Sequence, residues 1–302
     1  MASGKPLQQP KHHDNVVIAA AISPDGRLVA TGGGNNRKVH VWDIATGETR
    51  RTLVGDGASR WATGFSPDGS RIAWGSTSNY TTQNSRGPIE LQLRLPGGSR
   101  NLGRPEPIDE TAIKTLVRAS PTFGAYALSH RKGGAHGFDA ILDLKLDGRT
   151  LASIERGTST GYDHRAYTFS PDGQTIISAG SNGILTAYDL KAKTVGDFIG
   201  HEGDVWAVAP SADGRLLVTG SGDQTVRLWN LKTRELIATL FRGTDSDWVM
   251  WTPQGYYTGS PGSDKYVGWQ INKGPENAAD YVGADQLRRH LHRPDIVEKA
   301  II

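Results

Sequence analysis

Short apolar runs separated by glycine-rich turns dominate this chain. Val16–Ile22 is followed by Ser23-Pro24-Asp25-Gly26 and then by a second run, Leu28–Thr31. A Gly-rich turn leads to the alternating segment Lys38–Trp42, and Thr46-Gly47 leads to Thr49–Leu53. The same succession returns as Val205–Ala209, Leu216–Thr219, Thr225–Trp229 and Glu235–Leu240. Runs this short, alternating and rich in β-branched residues, predict strands.

The turn itself repeats. Ser66-Pro67-Asp68-Gly69 and Ser170-Pro171-Asp172-Gly173 are full copies. Ser211-Ala212-Asp213-Gly214, Thr252-Pro253-Gln254-Gly255 and Ser120-Pro121-Thr122-Phe123-Gly124 are degenerate ones. The anchors begin at 23, 66, 120, 170, 211 and 252, with spacings of 43, 54, 50, 41 and 41 residues. Proline presets φ in such a turn and glycine supplies a positive φ. Four strands per unit of this length predict an all-β protein built of propeller blades.

The repeats resemble the WD-repeat (WD40) family. Gly200-His201, Ser211 to Gly214, Thr219-Gly220-Ser221, Asp223 and Trp229-Asn230 form one nearly complete repeat. Trp42-Asp43 is the namesake dipeptide, and Tyr188-Asp189 and Trp269-Gln270 are weaker versions. The resemblance spans about residues 5–272 and implies a β-propeller of four-stranded antiparallel blades. Six anchors read as six blades, with seven, the family's usual number, as the alternative. Residues 1–274 are expected to form the propeller, its ring closed by an N-terminal strand at about 5–9. Residues 275–302 are expected to form a helical extension packed on it. There Ala284–His292 places Leu287 and Leu291 on one face, Pro294 ends that helix, and Asp295–Ile302 starts another.

The family also implies an internal hydrogen-bond chain in each repeat. In the fifth it maps to Trp229, Thr219, His201 and Asp223. The first offers Trp42, Thr31 and His13, with Asn36 in place of the aspartate. The fourth offers Tyr188, Ser178 and Asn182, with Thr160 where histidine would stand, and the sixth Trp269, Thr258 and Arg242. These residues are read as strand ties and not as a hydrolase triad. From Trp248 to Val297 the chain is similar to the last blade and exit helix of WD-repeat regions in larger bacterial proteins, some with a caspase-like peptidase domain.

Composition narrows the chemistry. The 302 residues include 38 glycines and 8 tryptophans but no cysteine. That excludes disulfides, Cys-based metal sites and a cysteine nucleophile, caspase-like catalysis included. The net charge is +3 and forms no concentrated basic stripe, so no nucleic-acid partner is expected. No apolar run reaches the roughly 20 residues needed to cross a bilayer. Met1–Pro10 has no signal-peptide core, so a cytoplasmic location is expected. No cofactor and no metal site are expected.

Function in such a fold belongs to loops. Gly75 to Pro88 is the largest insertion and carries Tyr80 and Arg86, residue types that anchor interfaces. The third repeat has Arg131 and Lys132 before a glycine-rich turn with His136. The loop from Arg156 contains Tyr162, His164 and Arg165. Trp61, Trp206 and Trp248 open their inner strands, near the expected channel mouth. The reading is a non-enzymatic scaffold that binds a protein or peptide on this face. One alternative is a hydrolase or lyase using Asp163, His164 and His136. Another is a phosphate- or nucleic-acid-binding ring using Arg131, Lys132 and the tail arginines Arg288, Arg289 and Arg293.

Overall fold

The repeated tetrapeptide is a rigid hydrogen-bonded turn. Its glycine amide donates to the carbonyl of the first residue at 2.9 Å for Gly26, Gly69, Gly173 and Gly255, and at 3.0 Å for Gly214. The turn serine donates to the aspartate carboxylate two residues on, at 2.6 Å for Ser23, Ser66 and Ser211 and 2.5 Å for Ser170. The glycines sit at φ between 69° and 88°, the left-handed region that a side chain disfavours.

A computed structural model describes residues 17–23, 25–33, 38–53, 59–76, 87–133, 138–271 and 280–302. The expected closing strand at 5–9 lies outside them. The first repeat is a sheet of β1 (Val17–Ile22), β2 (Leu28–Gly33), β3 (Lys38–Asp43) and β4 (Thr49–Leu53), in that order. The second is β5 (Ala62–Phe65), β6 (Arg71–Gly75), β7 (Leu91–Arg94) and β8 (Glu106–Pro107). A short helix, α1 (Glu110–Thr115), follows, capped by Asp109, whose carboxylate accepts from the Thr111 and Ala112 amides. The third sheet holds β9 (Thr122–Phe123), β10 (Tyr126–Gly133), β11 (Phe138–Leu146) and β12 (Arg149–Glu155). The fourth holds β13 (Ala166–Phe169), β14 (Thr175–Ala179), β15 (Leu185–Asp189) and β16 (Thr194–Asp197). The fifth begins with β17 (Val205–Pro210), β18 (Leu216–Ser221), β19 (Val226–Asn230) and β20 (Leu236–Arg242). It runs on into β21 (Trp248–Trp251) and β22 (Tyr257–Gly259), making six strands. β23 (Gly268–Ile271) pairs with β24 (Asp280–Gly283), and α2 (Ala284–Leu291) and α3 (Pro294–Ile301) end the chain.

The architecture is therefore all-β, mostly sheets of four antiparallel strands with few helices. Three details differ from expectation. The segment before the third anchor pairs outside its own sheet: Phe65 and Val117 exchange backbone bonds at 2.9 and 2.8 Å, and the Phe169 amide reaches the Ser120 carbonyl at 3.1 Å. The tail opens with the strand β24 before any helix. The first tail helix ends ahead of Pro294 as expected, but α3 begins at Pro294 itself and not at Asp295, since a first-turn residue needs no amide donor.

The chain divides into two compact units. The smaller comprises Met1–Gly57, Arg242–Val249 and Thr258–His292; the larger comprises Ala58–Phe241, Met250–Tyr257 and Arg293–Ile302. In the larger unit successive sheets pack face to face. Leu142, Leu144 and Ile154 meet Tyr167, Phe169 and Ile176. Ile177, Leu185 and Phe198 meet Val208, Leu217 and Trp229. β5 lies against β17 and β18, and the Arg60 amide donates to the Ser221 carbonyl at 2.9 Å. In α3, Val297 and Ile301 are buried, and Glu298 accepts from the Leu102 amide at 2.8 Å.

Candidate functional site

The fifth repeat ties its strands with a directional hydrogen-bond chain. Trp229 Nε1 donates to Thr219 Oγ1 at 2.8 Å. Thr219 Oγ1 lies 2.7 Å from His201 Nε2, and His201 Nδ1 lies 2.7 Å from Asp223 Oδ2. A carboxylate only accepts, so Nδ1 carries the proton and Nε2 accepts from the threonine hydroxyl. Burial lowers the His201 pKa below its usual value, which keeps the ring neutral. Burial also pushes Asp223 up, but the bonds from His201 and Thr225 and the charge of Arg227 outweigh it. The carboxyl is held well below the ordinary range. Every polar atom of this chain is engaged in linking strands. In the first repeat Trp42 Nε1 donates to Thr31 Oγ1 at 3.3 Å, while His13 and Asn36 lie outside the described residues. In the sixth, Arg242 donates to Ser246 Oγ at 2.7 Å, and Thr258 is buried.

The fourth repeat solves the same problem with different residues. Thr160 does not take the histidine position: its hydroxyl accepts from the Gly157 amide at 2.7 Å. His164 takes it, with Nδ1 at 2.7 Å from Ser178 Oγ and Nε2 at 3.1 Å from the Ile154 carbonyl. The carbonyl requires a proton on Nε2, so Nδ1 accepts from Ser178. Arg156 lies alongside, only 2% exposed. Its Nη2 donates to the Ser178 carbonyl at 2.7 Å, its Nε to His164 Nδ1 at 3.3 Å, and its Nη1 to the Thr160 carbonyl. Burial, and then the Arg156 charge, bring the His164 pKa down to about 3. His164 was expected on the partner-binding face. At 1% exposure, with both ring nitrogens bonded, it is an interior tie.

The residues on either side of His164 point elsewhere and build the site. Arg165 stacks on Trp206, with Cζ 4.2 Å from the ring centroid. Trp206 in turn meets Trp61, with centroids 4.4 Å apart and planes tilted by 37°. Arg165 is held by Asp163 and Asp204, each at 3.2 Å, and Ser181 donates to Asp163 at 3.0 Å. Burial raises the Asp163 pKa, opposed by Arg165. Trp61 immediately precedes β5 and Trp206 lies on β17, so the packing of those two strands brings the rings together. All three side chains are half-buried. They form a surface with aromatic faces, a cation and two carboxylates, a composition suited to holding a peptide.

Tyr162 belongs to a neighbouring group. It sits at φ 57° and packs edge-to-face on Phe138, with centroids 6.2 Å apart. Phe138 is 49% exposed and pairs with Gly133, next to Arg131 and Lys132. Arg131 pairs with Asp143 at 2.9 Å, and Lys132 is exposed. Trp248 lies in the smaller unit, its amide donating to Ser260 Oγ at 3.0 Å. Tyr80, Arg86 and His136 lie outside the described residues. Among the described residues no three His, Cys, Asp or Glu side chains gather as a metal-holding group. No described helix is long and apolar enough to cross a membrane. Sequence reasoning missed Asp204, Ser181 and Phe138, because nothing local marks a residue whose partner is set by the packing of another sheet.

Comparison with known proteins agrees with the repeat pattern. The family model for the WD domain, G-beta repeat, matches residues 4–43 and 192–230. Pre-mRNA-processing factor 19 homolog 2 of Arabidopsis thaliana is 29% identical over 238 residues, which are 78% of this chain and 42% of that protein. Actin-interacting protein 1 of Drosophila melanogaster is 40% identical over 95 residues, 29% of this chain and 16% of that protein. Eukaryotic translation initiation factor 3 subunit I of Aspergillus oryzae is 39% identical over 88 residues, 29% of this chain and 26% of that protein. The chain thus spans less than half the length of these relatives. Repeat sequence, sheet order and these similarities agree: residues 4–43 and 192–230 match the WD domain, G-beta repeat, in a chain built mostly of four-stranded antiparallel sheets.

Proposed function

We propose that this chain is a non-enzymatic interaction scaffold whose repeats form a six-bladed propeller. It binds a protein or peptide where Trp61, Trp206 and Arg165 meet. The stacked pair of tryptophans carrying an ion-paired arginine supports this most directly. Half-buried tryptophan and arginine side chains are the commonest binding hot spots, and here both are held in place before any ligand arrives. Six turn anchors support the blade number. Two relatives carry names that record assembly with other proteins, an actin-interacting protein and a subunit of an initiation factor. The resemblance of the tail to WD-repeat regions of larger bacterial proteins supports reading the scaffold as the recognition part of a larger effector.

A random peptide display selection against the purified chain tests the proposal. Selected peptides should lose about tenfold or more in affinity on Trp206→Ala, the range expected for a hot spot. Selected peptides indifferent to Trp206→Ala and Trp61→Ala would overturn it.

A further inference from the structure

The tetrapeptide turns of the larger unit also border a cleft. A cleft of about 640 Å³ opens between the fourth and fifth sheets of the larger unit. That volume is in the range of ligand pockets. Its floor is apolar, formed by Pro171, Ala187, Ala212 and Leu231. Lys232 and Arg234 line it together with Asp172 and Asp213.

These charged groups differ in their partners. Asp172 is committed to its own turn, accepting from Ser170 Oγ at 2.5 Å and the Gln174 amide at 3.0 Å. Asp213 is committed in the same way to Ser211 and the Arg215 amide, and its second oxygen accepts from Arg215 Nε at 2.9 Å. Lys232 and Arg234 form no ion pair with any described residue. Backbone bonds nevertheless fix the segment that carries them. Asn230 Oδ1 accepts from the Lys232 and Thr233 amides at 3.0 and 2.9 Å, and the Arg234 amide reaches the Asn230 carbonyl at 2.8 Å. The Arg234 guanidinium lies over Gly196 of β16, where a Cβ would come within 2.6 Å of its Nε. The absent side chain at 196 gives the guanidinium its seat against the fourth sheet. Arg215 offsets Asp213, so the cleft carries two cations without a printed ion pair, Lys232 and Arg234, against one such carboxylate, Asp172, on turns that are already rigid.

We propose that this cleft binds an acidic peptide: an extended segment whose carboxylate side chain meets Lys232 and Arg234 while apolar neighbours cover Ala187 and Leu231. This surface is separate from the Trp61–Trp206 site, so the two proposals stand or fall independently.

The test uses the full chain and three fluorescein-labelled, end-capped hexapeptides with leucines flanking a central glutamate, glutamine or lysine. Fluorescence anisotropy should show binding of the glutamate peptide, weakened about tenfold or more by Lys232→Ala/Arg234→Ala. Ala212→Trp, at an exposed turn position, should block the cleft without touching the cations and abolish binding. Trp61→Ala/Trp206→Ala should leave it unchanged. Melting curves matching the unsubstituted chain exclude unfolding as the cause. No binding of the glutamate peptide, equal binding of the lysine peptide, or indifference to both cleft variants would overturn the proposal.

Discussion

Replacing Thr219 by valine isolates the hydrogen-bond chain of the fifth repeat. Valine matches threonine in shape, so packing around the fully buried Trp229 is retained. What disappears is one oxygen that accepts from Trp229 Nε1 at 2.8 Å and donates to His201 Nε2 at 2.7 Å. Both partners are then buried and unsatisfied. Each such group costs about 1–3 kcal/mol, so the loss should be about 2–5 kcal/mol. For a unit of this size that is a fall of roughly 5–15 °C in melting temperature. The control is Thr63→Val. Thr63 is also fully buried, but its Oγ1 has no hydrogen-bond partner. Removing an unsatisfied hydroxyl should leave stability unchanged or raise it by about 1 kcal/mol. Scanning calorimetry on both variants gives the comparison. A Thr219→Val loss below about 1 kcal/mol, or equal losses at the two sites, would refute the reasoning.

Three further outcomes follow. His164 has a folded pKa of about 3, far below the 6.5 of an unhindered histidine, because it is buried beside Arg156. Below 6.5 the unfolded chain therefore takes a proton that the folded one refuses. Its contribution is full above pH 6.5 and is lost as pH falls toward 3, at about 1.4 kcal/mol per pH unit. Urea melts at pH 7 and 4.5 should show this slope reduced in His164→Asn, though not abolished, because His201 acts in the same direction; an unchanged slope would contradict it. Gly183 sits at φ 75°, and a Cβ there would come within 1.8 Å of the His201 carbonyl oxygen. Gly183→Ala should cost more than about 2 kcal/mol in the same melts. Arg165→Met keeps apolar contact with Trp206 but leaves Asp163 and Asp204 without their cation. The Asp163 pKa, already raised by burial, should rise further when followed by carbon-detected NMR titration.

Much of the fold is legible along the chain because the turns are local. Serine, aspartate and glycine bond to one another within four residues in the anchors at 23, 66, 170 and 211, so the tetrapeptide carries its own structure there. Strand runs follow from alternation for the same reason. The site is less legible. Trp61 and Trp206 stand out by position, but only the approach of β5 to β17 makes them a pair. His164 escapes the repeat pattern because it stands 14 residues before Ser178, whereas His201 stands 18 before Thr219. The buried Arg156 beside it has no counterpart in the fifth repeat. β24 was hidden because a four-residue strand without an anchor turn reads as linker.

The central claim is that ligand recognition rests on the tryptophan–arginine surface. Isothermal titration of a display-selected peptide against the unsubstituted chain, Trp206→Ala and Lys232→Ala/Arg234→Ala tests it most directly. Trp206→Ala should lose about tenfold or more in affinity, and the cleft variant should bind unchanged. Unchanged affinity for Trp206→Ala, with the loss confined to the cleft variant, would contradict it.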